Sequence, residues 1–360
     1  MQEYRSTFSE AERAQRRAQR AEARQKKVRA RRRRLLLQLL PVGVVAIALG
    51  VLLSAFTSRE EPAVPEELPP VSTAIVPVQP VFREETPTVE APYSASANAE
   101  TVQLGDSIDS QYAVVIDLQS DAIIAEKNAD AIISPASMTK VLTLLVAAEN
   151  IENLDDTFTM TIDITDYCYV NECSIVGLMV GETVSVRELL YGTILPSGAD
   201  AALGLATYVA GSQEAFVEMM NAKLDDLGLS ETAHFTNCVG LYDEEHFCTI
   251  YDMAMIMKAA MENELCREIL NARTYDTAPT ADHPDGQILS NWFLRRIEDK
   301  DTGSIEVIGA KTGYVVQSGS CAVSAGQDSE GNLYICATGD AAGTWKCIYD
   351  HQALYHDYCS

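Results

Sequence analysis

Residues 35–56 are apolar except for Gln38 and Ser54, and four arginines, Arg31 to Arg34, stand directly before them. At ~1.5 Å per residue a helix of that length reaches roughly 33 Å, enough to cross a bilayer core. Pro41 sits near its start, where a spanning helix tolerates proline. Residues 1–34 carry thirteen Arg and Lys against four acids, a net charge of +9 in a chain whose total is −25, which leaves −34 on the rest. The positive-inside rule then predicts a basic cytoplasmic tail over residues 1–34 and an anchor over 35–56, with everything after residue 56 outside the cell membrane. A cleaved signal peptide fits less well, because the apolar run is long and no A-x-A site follows Phe56. A basic tail also suits nucleic acid, but a remainder at −34 repels phosphate, so no nucleic-acid partner is expected.

Eight of the 13 prolines fall within residues 57–100, mixed with Glu, Thr, Ser and Val. Such a stretch cannot bury enough apolar surface to fold and reads as a semi-extended linker, drawn here as residues 57–104. The remaining 105–360 is long enough for one large domain. All nine cysteines lie in it. An odd number leaves at least one unpaired; Cys168 with Cys173 and Cys321 with Cys336 are conceivable bridges, and buried free thiols are the alternative. No C-x-x-C and no His/Cys cluster of zinc spacing occurs, so neither a metal nor a cofactor is expected.

Strand signals run over residues 112–118 and 122–127, joined by the turn Gln119-Ser120-Asp121. Pro135 then opens a helix whose body, VLTLLVAAEN, is apolar on every side and is therefore expected to be buried. Helical periodicity recurs at 184–191, 200–209, 214–227 and 249–263. Three further strand signals, 304–316, 319–327 and 332–338, precede a final amphipathic helix over 343–358. Two strands, a helical block, three strands and a helix predict an α+β fold: one antiparallel five-stranded sheet with flanking helices and an all-helical subdomain. The five histidines, His234, His246, His283, His351 and His356, read as loop or helix-face residues.

Three short motifs carry chemistry. Ser137 and Lys140 are three residues apart at the head of the buried helix and so share a face. A serine hydroxyl is a weak nucleophile that needs a base, and a lysine serves only when burial and the helix dipole lower its pKa. Lys311-Thr312-Gly313 follows a strand-like run; Lys311 and Thr312 can hold a carboxylate, and Gly313 lets backbone approach closely. Ser197, in Pro196-Ser197-Gly198, can pass a proton, although a lone serine there also suits a helix cap.

As an ordered set these motifs resemble the serine D-alanyl-D-alanine carboxypeptidases, the low-molecular-mass penicillin-binding proteins. Pro135-Ala136-Ser137-Met138-Thr139-Lys140 is similar to the family's nucleophile segment. Gly181-Glu182, Leu189-Leu190 and Leu195-Pro196-Ser197-Gly198-x-Asp200-Ala201-Ala202 resemble its second segment. Phe235-x-Asn237-x-x-Gly240-Leu241, Tyr251-Asp252-x-Ala254 and Gly309-x-Lys311-Thr312-Gly313-Tyr314 complete the likeness. The resemblance covers residues 105–360 and implies a β-lactamase/transpeptidase-like domain. It also implies Ser137 as the acylated nucleophile, Lys140 as base and Ser197 as proton relay. Lys311, Thr312 and Gly313 would bind substrate, and the backbone N–H groups of Ser137 and Tyr314 would form an oxyanion hole. The implied substrate is a peptidoglycan stem peptide ending in D-Ala-D-Ala, and β-lactams are the implied covalent inhibitors. Ala199 departs from the pattern, since the family has Asn there. Losing that partner costs about 1–3 kcal/mol unless something such as Asp200 compensates. Two alternatives follow: a weak or inactive peptidoglycan- or β-lactam-binding homologue, favoured by Ala199, and a serine β-lactamase. The latter lacks its Glu-x-x-Leu-Asn base segment here.

Overall fold

The computed structural model describes residues 93–359. The tail over 1–34, the anchor over 35–56 and the linker over 57–92 lie outside the described residues. Among the described residues, no helix is long and apolar enough to cross a membrane.

The domain is built on one sheet of six strands: β1 Ser96–Gln103, β2 Tyr112–Asp117, β3 Ala122–Lys127, β4 Glu306–Val315, β5 Gly319–Gln327 and β6 Leu333–Ala341. Their spatial order is β1-β3-β2-β6-β5-β4. Alternation along β2 shows why these segments form a two-faced sheet. Val114 and Ile116 join the core shared with the helical block, whereas Ala113 and Val115 join a second core on the opposite face.

This corrects the predicted sheet in two ways. There are six strands rather than five, and the sheet is mixed, because β1 runs parallel to β3 with Ser96 opposite Ala122. The linker therefore cannot extend to residue 104, and the folded domain begins earlier than residue 105. Tyr93 Oη donates to Glu262 (2.6 Å), the Ala95 N–H donates to Tyr251 Oη (2.8 Å), and β1 follows at once. An edge strand reading SANAETVQ is almost wholly exposed and carries no apolar alternation, so its pairing has no periodic signature.

Helix α1, Lys140–Asn150, is buried on all sides over most of its length, as its composition predicts. Around it pack α2 Ile162–Val170, α3 Val186–Ile194, α4 Ala199–Ala210, α5 Gln213–Leu227, α6 Ile250–Glu262 and α7 Glu264–Asn271. Capping boxes fix the starts of α3 (Ser185 with Glu188) and α6 (Thr249 with Asp252). The last helix, α8 Thr344–Tyr358, covers the other face of the sheet through Cys347, Ile348, Leu354 and Tyr355.

Candidate active site

Ser137 rides on a 3₁₀ turn, Ala136–Thr139, that leads into α1. The turn begins with Ala136 in the left-handed region (φ +47°), a conformation that costs a non-glycine residue about 1–3 kcal/mol. Neighbouring backbone closes around it. A Cβ on Gly240 (φ +81°) would lie 1.9 Å from the Ala136 carbonyl oxygen, and one on Gly313 would lie 2.7 Å from Cys321 Sγ and 3.0 Å from Ser137 N. Glycine at these two positions is what lets the loop before α6 and the strand β4 abut the serine turn. β4 is also the last strand of the sheet, so among the described residues its outer edge has no strand neighbour, a geometry that suits an added extended peptide.

Lys140 is 2% exposed. Its Nζ lies 3.0 Å from Ser137 Oγ and donates to the Val239 carbonyl at 2.7 Å. Burial pushes its pKa down to about 8, against a smaller upward pull from the thiols of Cys238, Cys173 and Cys168 and from Asp200. The Val239 carbonyl is itself held in place. Asn237 Oδ1 accepts from the N–H groups of Val239, Gly240 and Leu241, and Asn237 Nδ2 donates to the Leu241 carbonyl. His246 braces the same corner. It accepts at Nδ1 from the Thr236 N–H (3.0 Å), so its Nε2–H donates to Thr139 Oγ1 (2.8 Å). Its pKa is pushed down to about 4 by burial. Neither its burial nor its bracing role is legible in the sequence, which predicts a loop or helix-face histidine.

The second pair forms across the domain. Ser197, also left-handed (φ +62°), precedes α4, whose cap is Gly198 rather than the serine. Lys311, 2% exposed on β4, donates to Ser197 Oγ at 2.9 Å and to the Thr312 carbonyl at 2.7 Å. Burial, with the charge of Lys140 second, holds Lys311 well below the ordinary lysine range. Thr312 is half-buried, and Tyr314 is 65% exposed. Ser137, Lys140 and Tyr314 line one cleft of about 730 Å³ with Ala199, Gln213 and the segment from Asn171 to Ser174. The structure thus couples Ser137 to Lys140, couples Ser197 to Lys311, and sets Gly313 against the backbone of Ser137.

Ala199 presents only a methyl group to this cleft, and its N–H is used by the Ser174 carbonyl (2.8 Å). Asp200 does not compensate. Its buried carboxylate accepts from the N–H groups of Val176, Gly177, Leu178 and Ala201. Those bonds tie the start of α4 to the loop over 174–178. Among the described residues, no group of three or more His, Cys, Asp or Glu is arranged to hold a metal ion.

Comparison with known proteins agrees with this geometry. Residues 96–340 match the family described as D-alanyl-D-alanine carboxypeptidase, peptidase S11. The chain is 28% identical over 238 residues to the D-alanyl-D-alanine carboxypeptidase DacF of Bacillus subtilis (strain 168), covering 66% of this chain and 59% of that one. It is 36% identical over 176 residues to DacC of Escherichia coli (strain K12), covering 47% and 44%. The chain therefore spans about half the length of these relatives. Among solved structures, a serine-to-alanine mutant of the Streptomyces K15 DD-transpeptidase superposes with a TM-score of 0.63 at 27% identity, covering 69% of this chain and 96% of that one. A D-alanyl-D-alanine carboxypeptidase from Mycobacterium tuberculosis H37Rv gives 0.60 at 28% identity, covering 70% and 91%.

Proposed function

Because this chain belongs to the D-alanyl-D-alanine carboxypeptidase family, we propose that it removes the terminal D-alanine from peptidoglycan stem peptides through an acyl-enzyme on Ser137. The observation that carries the proposal is the 3.0 Å contact between Ser137 Oγ and a buried lysine whose pKa is depressed to about 8. Near that pH an appreciable fraction of Lys140 is neutral and accepts the Ser137 proton as Oγ attacks the penultimate carbonyl carbon. The resulting oxyanion is met by the Ser137 and Tyr314 N–H groups. The bond to the terminal D-alanine nitrogen then breaks. Ser197 relays a proton from the lysine to that leaving amine, and water cleaves the ester.

Lys311 and Thr312 hold the substrate carboxylate. Two buried lysines disfavour each other's charge, and the arriving carboxylate supplies the counter-charge that keeps Lys311 protonated while Lys140 stays neutral. A requirement for that terminal carboxylate makes the action exopeptidic. In the same reading residues 35–56 anchor the enzyme in the cell membrane, with residues 1–34 inside and the catalytic domain outside; the apolar run and its flanking arginines support this.

Ala199 favours one second reading, a slow or purely binding homologue. Intact-mass spectrometry of the chain with benzylpenicillin over time, alongside Ser137→Ala, separates the readings. A persistent adduct absent from the variant is expected. No adduct, with penicillin intact, would favour the binding homologue, and fast penicillin loss without adduct would indicate a β-lactamase.

A further inference from the structure

One thiol, that of Cys173, lines the cleft, and a second, that of Cys168, lies next to it. Cys168 lies in the last turn of α2 and is buried; Cys173 follows three residues after the helix and is half-buried. The Cys173 N–H donates to the Cys168 carbonyl at 3.0 Å, so the two backbones are adjacent, and each thiol perturbs the ionisation of the other. Cys173 lines the cleft that holds Ser137 and Lys140.

The pair is polarised. The neighbouring Cys168 thiol, with help from the Lys140 charge, draws Cys173 below the ordinary cysteine range. The Cys173 sulfur, with burial, drives Cys168 up. Asp200 opposes ionisation at both sulfurs. The other seven cysteines, Cys238, Cys248, Cys266, Cys321, Cys336, Cys347 and Cys359, are all buried and all pushed up by burial. One accessible, thiolate-prone sulfur with a second sulfur beside it is the arrangement of a redox-active dithiol.

We propose that Cys168 and Cys173 are a thiol–disulfide exchange site in the wall of the cleft, with a low-molecular-mass disulfide such as oxidised glutathione as co-reactant. The Cys173 thiolate attacks one glutathione sulfur, forming a mixed disulfide and releasing one glutathione thiolate. Cys168 then loses its proton and attacks Cys173 Sγ, forming the internal disulfide and releasing the second glutathione. Two protein thiols are oxidised and one glutathione disulfide is reduced to two thiols. The bond would close a short loop containing Asn171 and Glu172, both of which face the cleft. None of this chemistry depends on acylation of Ser137.

The test uses the full chain, reduced, then exposed to oxidised glutathione, alkylated and analysed by intact mass and peptide mapping. Before oxidation, a small maleimide should label Cys173 at least about tenfold faster than any other cysteine. After oxidation, the chain should lose about 2 Da, retain no glutathione and yield a Cys168–Cys173 cross-linked peptide that dithiothreitol reverses. Cys168→Ser should trap a stable glutathione adduct on Cys173, and Cys173→Ser should give neither product. A lasting adduct on Cys173 in the unsubstituted chain, a cross-link between other cysteines, or no reaction at either sulfur would each overturn the proposal. The unsubstituted chain decides it even if a variant fails to fold. Benzylpenicillin acylation, run in parallel on reduced protein, judges the proposed function separately.

Discussion

At Ala199 the cleft wall offers a methyl group beside Cys173, Ser174 and Gln213. If the proposed chemistry holds, restoring an amide there supplies a hydrogen bond worth roughly 1–2 kcal/mol, so Ala199→Asn should raise kcat/KM on a D-Ala-D-Ala peptide by about tenfold. Steady-state release of D-alanine checks this, and an unchanged rate would show that the gap is already filled by another group. Lys140 gives the second prediction at this scale. A base with a pKa of about 8 is protonated and useless below that value, so the acylation rate by benzylpenicillin should rise with pH and reach half its maximum near 8. A profile flat from pH 6 to 10 would remove Lys140 as the base. The Ser137–Lys140 contact was legible because three residues along a helix bring two side chains to one face. The Lys311–Ser197 contact was not, because 114 residues separate the partners and only tertiary folding joins them.

Elements were legible where one periodicity dominated. Strand β2 is a short continuous apolar run between polar ends and α1 is apolar on all sides, and each lies where its pattern places it. Helix α2 was missed because Ile162 and Val170 are exposed while Ile164 and Cys168 are buried, so no apolar stripe marks it. His351 shows what pattern-reading loses in α8. It is buried and joins the helix to two strands, contacting Ser324 Oγ on β5 at 2.8 Å and Thr338 Oγ1 on β6 at 3.0 Å. Burial holds it neutral with a pKa of about 3. Its unfolded value is about 6.5, so the unfolded chain takes up a proton first as pH falls. Its contribution is fully present above pH 6.5 and is lost progressively as the pH falls toward 3, by about 2 kcal/mol at pH 5. Chemical denaturation at pH 7 and pH 5 should show that loss, and His351→Gln should reduce it. Equal pH sensitivity in the variant would place the effect elsewhere.

For the whole molecule, the boundary drawn from proline content missed β1, because polar, exposed strands look like linker. Its parallel pairing with β3 and the bonds from Tyr93 and Ala95 to α6 make it part of the fold. A chain beginning at Tyr93 should therefore melt about 5–10 °C above one beginning at Gly105, since the shorter one loses several hydrogen bonds and bares an edge. Calorimetry of the two would decide it, and equal melting temperatures would return β1 to the linker. The strand order has a mechanical consequence. β1 and β4 are opposite edges of the sheet, five spacings or roughly 24 Å apart. Under the proposed anchoring and activity, the sheet is thus gripped at one margin and works at the other, as a knife is held by its handle. Tension applied at Tyr93 meets its bond to Glu262 and the Ala95–Tyr251 bond first and the β1–β3 ladder next, and four further ladders stand between that load and the edge that abuts Ser137.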